Sequence, residues 1–166
     1  MSPHYRCDVE HWESMTDLIK TEVRETTGVI TLDRPKALNS LNHEMARAID
    51  ATLKQWRNDD AIAQVVVQSA GKHFCSGGDV RAAREGILDG RSTEVDAFFA
   101  DEYAMNLDIA NYPKPYIALC NGVIMGGGMG ISAHGSHMVV TEGAFASMPE
   151  MNIGYVTDVG MSWLLQ

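Results

Sequence analysis

Two stretches of this sequence share one layout: a short apolar run, then a glycine-rich turn, then a helical pattern. Residues 65–67 are all valine and lead to Gly77 and Gly78, while residues 117–119 lead to the glycines at 126–128. Short continuous apolar runs are typical of strands that are buried on both faces. Strands that alternate with helices through crossovers predict an α/β protein.

The rest of the chain extends this alternation within a single domain. In the first predicted helix, Asn42 can act as the N-cap, and apolar residues recur on one face at Met45, Ile49, Leu53 and Trp56. We expect residues 1–17 to form an N-terminal leader and residues 18–166 to form one domain, since 166 residues are few for two. The pattern predicts a hairpin over 18–24 and 29–32, helices over 42–57, 93–111 and 128–134, strands at 116–120 and 138–140, a glycine-rich turn at 122–128, and a helix beginning near 160.

Charge and cysteine content exclude several classes of protein. The chain has 22 acidic and 13 basic residues and a formal net charge of −9, which excludes a nucleic-acid or anionic-membrane binder with a broad basic face. Cys7, Cys75 and Cys120 are far apart, which predicts reduced thiols rather than disulfides or a zinc site. The acidic N-terminus lacks a signal-like apolar segment, so we expect a cytoplasmic protein.

An uncharged stretch from residue 115 to residue 141 is long enough to span a membrane. Polar residues interrupt it and its glycines are clustered, so we expect a buried strand, loop and helix instead of a membrane span.

The two glycine turns suggest one shared chemical purpose. Each turn places free backbone N–H groups between a strand and a helix, where the helix dipole also favours an anion. Two such turns on neighbouring strands could direct one N–H each at a single oxygen and form an oxyanion hole. Glycine is also the usual residue at tight turns and packing contacts, so the residues alone leave both interpretations open.

A nucleotide site and a carboxylate site are further alternatives. Residues 128–133 fit G-x-G-x-x-A after a strand, with Glu150 as the acidic partner about 20 residues on. Glu102, Glu150 and Asp158 could instead perform acid/base work or attack a carbonyl. Most acidic residues are solvated surface groups, and spacing alone does not select these three.

The histidines and the central cysteine favour structural roles. His134 and His137 have H-x-x-H spacing but no evident third ligand, so we expect no metal site. Cys75, beside the first glycine turn, is expected to be a small buried thiol rather than a nucleophile. His73 could act as an acid or base, although a structural role is more common.

Four motifs together resemble the crotonase (enoyl-CoA hydratase/isomerase) superfamily. They are RPKALN at 34–39, HFCSGGDVR at 73–81, NGVIMGGGMG at 121–130 and FASMPEMNIG at 145–154, and their order and spacing also match. The resemblance implies the crotonase (ClpP/crotonase-like) fold of repeated ββα units. It further implies that residues 18–166 correspond to the N-terminal portion of a longer family chain, which ends before the family's C-terminal helices.

Within this superfamily the residues are most similar to the 3-hydroxyisobutyryl-CoA hydrolase branch, which implies a thioesterase of valine breakdown. The resemblance implies that Gly78 and Gly127 donate N–H groups to the thioester oxygen and that Glu150 is the catalytic carboxylate. Asp158 would hold the substrate's 3-hydroxyl group or position water. The implied substrate contacts are Glu102, Gly127, Glu150, Asp158, Lys36, Ala37, Leu38, Gly77 and Asp79, with residues 36–38 at the nucleotide end of coenzyme A.

The resemblance also carries expectations about partners and competing functions. Coenzyme A is part of the substrate, so no cofactor and no metal are expected, and the family's C-terminal helices favour homo-oligomers. Hydratases of the family carry a second catalytic Glu where this chain has Gly130, which favours a hydrolase; an isomerase and a non-catalytic scaffold stay as alternatives. The residues around Asp158 depart from the branch pattern at Val156, Thr157 and Met161, and this weakens the assignment of Asp158.

Overall fold

The computed structural model describes residues 16–166, which alternate strand and helix as predicted. The strands are β1 (Ile19–Arg24), β2 (Thr27–Leu32), β3 (Gln64–Ser69), β4 (Tyr116–Cys120), β5 (Val123–Met125), β6 (His137–Val140) and β7 (Phe145–Ser147). The helices are α1 (His43–Arg57), α2 (Val80–Leu88), α3 (Ser92–Ala110), α4 (Gly127–Ala133) and α5 (Met161–Leu164), with 3-10 turns at Pro35–Ala37 and Glu150–Ile153.

The main sheet has five strands in the order β1-β2-β3-β4-β6. The predicted hairpin is confirmed: β1 and β2 are antiparallel, with Ile19 opposite Leu32. The pairs β2–β3, β3–β4 and β4–β6 are parallel, so helical crossovers return the chain to the same edge. The carboxyl ends of β3 and β4 are therefore neighbours, and the two glycine turns follow these two strands.

Helix α1 covers one face of this sheet. The Asn42 side chain accepts a 2.9 Å hydrogen bond from the backbone N–H of Met45, which confirms the predicted N-cap. Met45, Ile49 and Leu53 are fully buried, and Trp56 packs against the Cα of Gly28 on β2. The apolar stripe read from the sequence is thus the stripe that contacts the sheet.

The other face of the sheet is more open than the sequence predicted. Val65 and Val67 are fully buried, but Val66 between them is only partly buried, and Leu119 on β4 is exposed. The expectation that these strands are buried on both faces is therefore wrong for the described part of the chain. The reason is that this face is partly polar: Gln64 and Gln68 of β3 donate hydrogen bonds across to the Thr27 and Thr31 hydroxyls of β2.

A second, two-stranded sheet lies within the segment that the sequence predicted to be a glycine-rich turn. Strand β5 occupies Val123–Met125 and pairs in parallel with β7, with Met125 opposite Ser147. The prediction of an uninterrupted turn over 122–128 is therefore wrong, since the turn is confined to the residues around Gly126. This pairing brings the chain just after β7, including Glu150, next to the second glycine turn.

Two further expectations concern the ends of the fold and the membrane. Residues 1–15 of the predicted leader, with Cys7, lie outside the described residues. The uncharged stretch 115–141 folds as β4, β5, α4 and β6. Within residues 16–166, the helices are too short or too polar to cross a bilayer.

Candidate active site

The two glycine turns meet at the carboxyl ends of β3 and β4. The Met125 N–H donates a 2.9 Å hydrogen bond to the Cys75 carbonyl, and the Cys75 N–H donates to the Val123 carbonyl. Gly77 adopts φ +109°, a conformation that favours glycine, and its Cα lies against the Met125 carbonyl and Gly126. The first turn is thereby fixed directly against the second.

The backbone N–H groups of Gly78 and Gly127 are unused at this junction. Leu41 forms a parallel β-bridge with Gly78: its N–H donates to the Gly77 carbonyl, and its carbonyl accepts from the Asp79 N–H. The bridge therefore uses the residues before and after Gly78 and leaves the Gly78 N–H unbonded. Gly127 is the first residue of α4, where the N–H has no intrahelical acceptor. Among residues 16–166 neither N–H has an acceptor. Two free donors on adjacent turns are the arrangement that an oxyanion hole requires.

The position of Gly127 leaves no room for a side chain. A Cβ atom there would collide with Glu102 Oε1 and would lie 3.2 Å from the Gly78 nitrogen and 3.3 Å from Leu41 Cδ1. Glycine at this position lets the Glu102 carboxyl group approach the backbone of the two donors.

A cavity of about 520 Å³ opens in front of the donors. It is lined by the glycines Gly77, Gly78 and Gly127. The three carboxylates considered in the sequence analysis, Glu102, Glu150 and Asp158, line it as well. Its walls are mainly apolar and come from α2, α3 and the segment after Glu150. The apolar lining residues are Val80, Ile87, Leu88, Phe99, Ile153 and Tyr155. The cavity thus combines an apolar wall with a small number of convergent polar groups, as small-molecule sites do.

Glu102 on α3 is the most deeply buried of the three acids. It is 2% exposed, and its Oε1 has no hydrogen-bond partner in the described chain. Burial, with a smaller contribution from the Asp158 charge, raises the pKa of Glu102 to about 7. Near neutral pH this side chain therefore exchanges between a neutral donor and a charged acceptor.

Glu150 begins the 3-10 turn after β7 and faces the second glycine turn. A Cβ on Gly126 would lie 3.0 Å from Glu150 Oε1, and Oε2 has no hydrogen-bond partner within residues 16–166. Burial raises the pKa of Glu150, and the nearby Asp158 charge adds to this effect. A carboxylate with an unpaired oxygen beside two free N–H donors can act as a nucleophile or as a general base.

Asp158 lies in the turn before α5 and is held by an aromatic residue. The Tyr103 hydroxyl donates a 2.7 Å hydrogen bond to Asp158 Oδ2. Tyr103 packs near Phe99, whose ring also stacks on Tyr155 at a centroid distance of 6.5 Å. Burial and the bond to Asp158 raise the pKa of Tyr103, so the hydroxyl stays protonated and remains a donor.

The other predicted substrate contacts lie outside the cavity. Lys36 and Leu38 are exposed in the 3-10 turn Pro35–Ala37 and the residue after it, and Ala37 is half-buried. The Leu38 carbonyl accepts from the N–H of Ser76, which lines the cavity, so this turn lies beside the cavity rim. The Asp79 carboxylate caps α2 through the Ala82 N–H and pairs with Arg34 at 2.8 Å, so it serves the fold rather than lining the cavity.

Cys75 and His73 have the structural roles that the sequence favours. Cys75 is fully buried and burial raises its pKa to about 12, which makes it a poor nucleophile. His73 Nδ1 accepts from the Val123 N–H. His134 donates to the Val159 carbonyl at 2.6 Å, while His137 is exposed; residues 16–166 contain no cluster of three or more potential metal ligands.

The nucleotide-binding alternative lacks its structural context. Gly128 is the second residue of α4, and the Gly130 N–H already donates a hydrogen bond to the Gly126 carbonyl. Gly128 packs against Cys75, and Gly130 packs against Asn106. Glu150, the acidic partner that this fingerprint requires, lies against Gly126 of the second glycine turn instead. The G-x-G-x-x-A match at residues 128–133 therefore reflects close packing of two glycines and not a nucleotide site.

Sequence reasoning missed two residues that hold the site together. The sequence gives no role to Tyr103, and for His134 it raises only the question of metal binding. The spacing of Phe99, Glu102 and Asn106 along α3 could have indicated a helix face turned toward a site. No sequence signal pointed to His134, because its partner is a backbone carbonyl 25 residues away.

The fold and this cavity define an α/β protein with two backbone donors facing a cluster of carboxylates. Residues 27–166 match the family described as enoyl-CoA hydratase/isomerase. The chain belongs to this family.

Several relatives and solved structures are similar to the chain over most of its length. The chain is 48% identical over 139 residues to the Danio rerio protein named 3-hydroxyisobutyryl-CoA hydrolase, mitochondrial. These residues cover 83% of this chain and 36% of that relative. The protein of the same name from Rattus norvegicus is 43% identical over 157 residues, which cover 94% of this chain and 40% of the relative. This chain thus spans well under half the length of these relatives.

Two solved structures superpose closely on the fold. A carnitinyl-CoA dehydratase from Mycobacterium thermoresistibile has a TM-score of 0.85 at 41% identity, covering 90% of this chain and 44% of that one. An enoyl-CoA hydratase from Rhodobacter sphaeroides has a TM-score of 0.83 at 40% identity, covering 86% and 43%. These matches confirm the crotonase-type α/β fold predicted from the motifs.

Proposed function

We propose that this chain hydrolyses acyl-CoA thioesters, with 3-hydroxyisobutyryl-CoA, an intermediate of valine breakdown, as its substrate. The observation that carries the proposal is the pair of unused N–H groups of Gly78 and Gly127 beside the unpaired carboxylate oxygen of Glu150. The names of the relatives from Danio rerio and Rattus norvegicus support the choice of substrate.

The two N–H groups would bind the thioester carbonyl oxygen. As the carbonyl carbon becomes tetrahedral, this oxygen gains negative charge, and donors that are already oriented stabilise it without reorganisation. Fixing both donors through the Leu41 bridge and the Cys75–Met125 hydrogen bond meets this requirement, since the turns need not move during the reaction.

Glu150 would begin the reaction in one of two ways. As a base it takes a proton from water, the water oxygen bonds to the carbonyl carbon, the C–S bond breaks, and the proton passes to the sulfur of coenzyme A. As a nucleophile its carboxylate oxygen displaces the thiolate to form an anhydride, which water then hydrolyses. Both routes need the ionised carboxylate next to the carbonyl carbon.

The other acids and the rim would bind the substrate. Asp158 would accept a hydrogen bond from the 3-hydroxyl group or position water, and Glu102 would contact the acyl group beside Gly127. Lys36, Ala37 and Leu38 at the rim would contact the nucleotide end of coenzyme A, with Lys36 as a local basic group in an acidic chain. We propose no separate cofactor, because this mechanism uses only the chain's own residues and water.

A hydratase is the second candidate, favoured by the similarity to an enoyl-CoA hydratase structure. Hydratases of this family were expected to carry a second Glu at the position of Gly130. In this chain a Cβ on Gly130 would lie 2.9 Å from the Asn106 side chain and 3.0 Å from Val159 Cβ, so the position offers neither a carboxylate nor room for one. This favours hydrolysis.

The test is free-thiol release from 3-hydroxyisobutyryl-CoA, with crotonyl-CoA hydration measured in parallel. We expect thiol release, and Glu150→Gln should reduce it at least about a hundredfold, as expected for a general acid/base group or nucleophile. Glu142→Gln, at an exposed acid away from the cavity, is the matched control. Hydration without thiol release would assign the chain to the hydratases, and a silent protein that does not bind acyl-CoA would be a scaffold.

The cellular setting of this reaction is a separate prediction. We propose a cytoplasmic location from the N-terminal composition, while the relatives named above are called mitochondrial. Imaging of the tagged full-length gene product would decide between the two locations. A homo-oligomer remains a proposal for the same full-length product, testable by its mass in solution.

A further inference from the structure

The turn that carries Asp158 has an unusual backbone. Val159 has φ +45° and Gly160 has φ +74°, so two successive residues are left-handed. A β-branched residue rarely adopts such a conformation, and it persists only where surrounding contacts enforce it. Val159 is also 3% exposed, so its backbone conformation is fixed inside the protein.

The enforcing contact comes from His134, at the C-terminal end of α4. Its Nε2 donates a 2.6 Å hydrogen bond to the Val159 carbonyl. The imidazole ring also packs on the turn, since a Cβ on Gly160 would lie 2.9 Å from both Cε1 and Nε2. The ring therefore holds the middle of the turn by one hydrogen bond and by contact with the next residue.

This contact connects the two functional parts of the cavity. Helix α4 begins with the Gly127 donor and ends at Ala133, and His134 is the C-cap residue that follows it. The turn places Asp158 on the other side, where Tyr103 holds the carboxylate from α3. The distance between the Gly127 donor and the Asp158 carboxylate is thus set through one short helix and one histidine.

We propose that His134 is a positioning residue for Asp158: by holding the Val159 carbonyl it fixes the left-handed turn that directs the Asp158 carboxylate into the cavity. This inference rests on the proposed function, in which Asp158 reads the 3-hydroxyl group of the substrate. His134 does not line the cavity, so its effect on the substrate would be transmitted through this turn.

The variants isolate the hydrogen bond. His134→Gln keeps an N–H donor at a similar reach, and His134→Met removes the donor at similar size. His137→Met is the matched control, because His137 is exposed on β6 and its side chain bonds only to the Ser136 hydroxyl among the described residues.

The first readout is independent of activity. The turn closes with a 3.0 Å hydrogen bond from the Met161 N–H to the Asp158 carbonyl, and the neighbouring 3-10 turn has one from the Tyr155 N–H to the Glu150 carbonyl. In His134→Met, hydrogen exchange at Met161 should accelerate at least tenfold while exchange at Tyr155 is unchanged. His134→Gln should stay within about threefold of the wild type at both amides. Equal acceleration at both amides would mean general destabilisation and would overturn the inference.

The second readout is discrimination between 3-hydroxyisobutyryl-CoA and isobutyryl-CoA, which lacks the hydroxyl group. The ratio of kcat/KM for 3-hydroxyisobutyryl-CoA to kcat/KM for isobutyryl-CoA should fall about tenfold in His134→Met and recover in His134→Gln. In a protein that already carries Asp158→Ala, adding His134→Met should leave this ratio unchanged. An equal loss on both substrates, or a further loss in the Asp158→Ala background, would overturn the positioning role. If the wild-type chain releases no thiol, the proposed function fails, while the Met161 exchange result still decides whether His134 fixes the turn.

Discussion

The hydroxyl group of Tyr103 and the carboxylate of Asp158 are joined by a 2.7 Å hydrogen bond between residues 55 positions apart in the sequence. This bond ties the middle of α3 to the turn before α5, and it orients one of the three carboxylates of the cavity. Its neighbours Phe99 and Tyr155 form an aromatic wall on the same side. The orientation of the Asp158 carboxylate therefore depends on an aromatic residue that contributes a single donor.

Replacing this donor should affect catalysis more than folding. Tyr103→Phe keeps the ring packing but leaves Asp158 without its hydroxyl partner, and because this hydrogen bond is exposed to solvent it contributes about 1 kcal/mol or less to stability. We expect kcat/KM for 3-hydroxyisobutyryl-CoA to fall about tenfold, with a free energy of unfolding within about 1 kcal/mol of the wild type. Steady-state kinetics and urea denaturation measure the two quantities.

Tyr112→Phe is the matched control for this prediction. Tyr112 donates to the Leu53 carbonyl, away from the cavity. Its loss should lower stability by about 1 kcal/mol and leave the rate unchanged. Equal rate losses in the two variants would contradict a specific role for Tyr103.

The pKa of Glu102 predicts a pH-dependent stability. Burial raises this pKa from 4.5 to about 7, so between these values the folded protein binds more protons than the unfolded chain. Stability should therefore fall as pH rises from about 5 to above 7, by about 3 kcal/mol in total from this group. Glu102→Gln should remove this dependence and be the more stable protein at pH 8.

Denaturant unfolding at pH 5, 6, 7 and 8 measures this dependence. Glu142→Gln, at an exposed acid, should follow the wild type across the range. A wild-type curve parallel to that of Glu102→Gln would show that Glu102 does not titrate in this window.

The elements with local signals could be predicted from the sequence. Helix α1 has its cap at Asn42 and a regular apolar stripe, and both are found where they were predicted. The first glycine turn was also placed correctly, whereas the second is shorter than predicted because β5 occupies Val123–Met125. Their meeting at one cavity follows from β3 and β4 being neighbours in a parallel sheet.

The parts that could not be predicted depend on distant partners. Strand β5 has only three residues and exists because β7 pairs with it. The open face of β3 could not be read from three consecutive valines, because burial depends on which elements cover the sheet. The left-handed conformation of Val159 contradicts the preference of valine and is imposed by His134, so no local pattern encodes it.

Asn39 should be essential to the loop that carries the predicted coenzyme A contacts. It is 1% exposed; its Oδ1 accepts from the Arg34 N–H, and its Nδ2 donates to the carbonyls of Ala70 and His73 at 2.9 and 2.8 Å. Asn39→Ala leaves three partly buried backbone groups unpaired at a position with φ +54°, so we expect a loss of about 3 kcal/mol in unfolding free energy. Asn111→Ala, at an exposed residue with one side-chain bond to the Leu107 carbonyl, should cost about 1 kcal/mol or less.

Adding one methyl group at Gly127 should disable the proposed oxyanion hole. A Cβ there would collide with Glu102 Oε1 and lie 3.2 Å from the Gly78 nitrogen, so the Glu102 carboxyl group and the Gly78 donor would have to move and the methyl group would crowd the space between the two donors. Loss of one such donor costs about 10²–10³ in rate, and Gly127→Ala should therefore reduce thiol release at least a hundredfold. Gly143→Ala is the control, because a Cβ at Gly143 meets nothing within 4 Å. Circular dichroism and urea denaturation should show both variants folded at the assay temperature; a folded Gly127→Ala protein with the wild-type rate would contradict the assignment of Gly78 and Gly127 as the oxyanion donors.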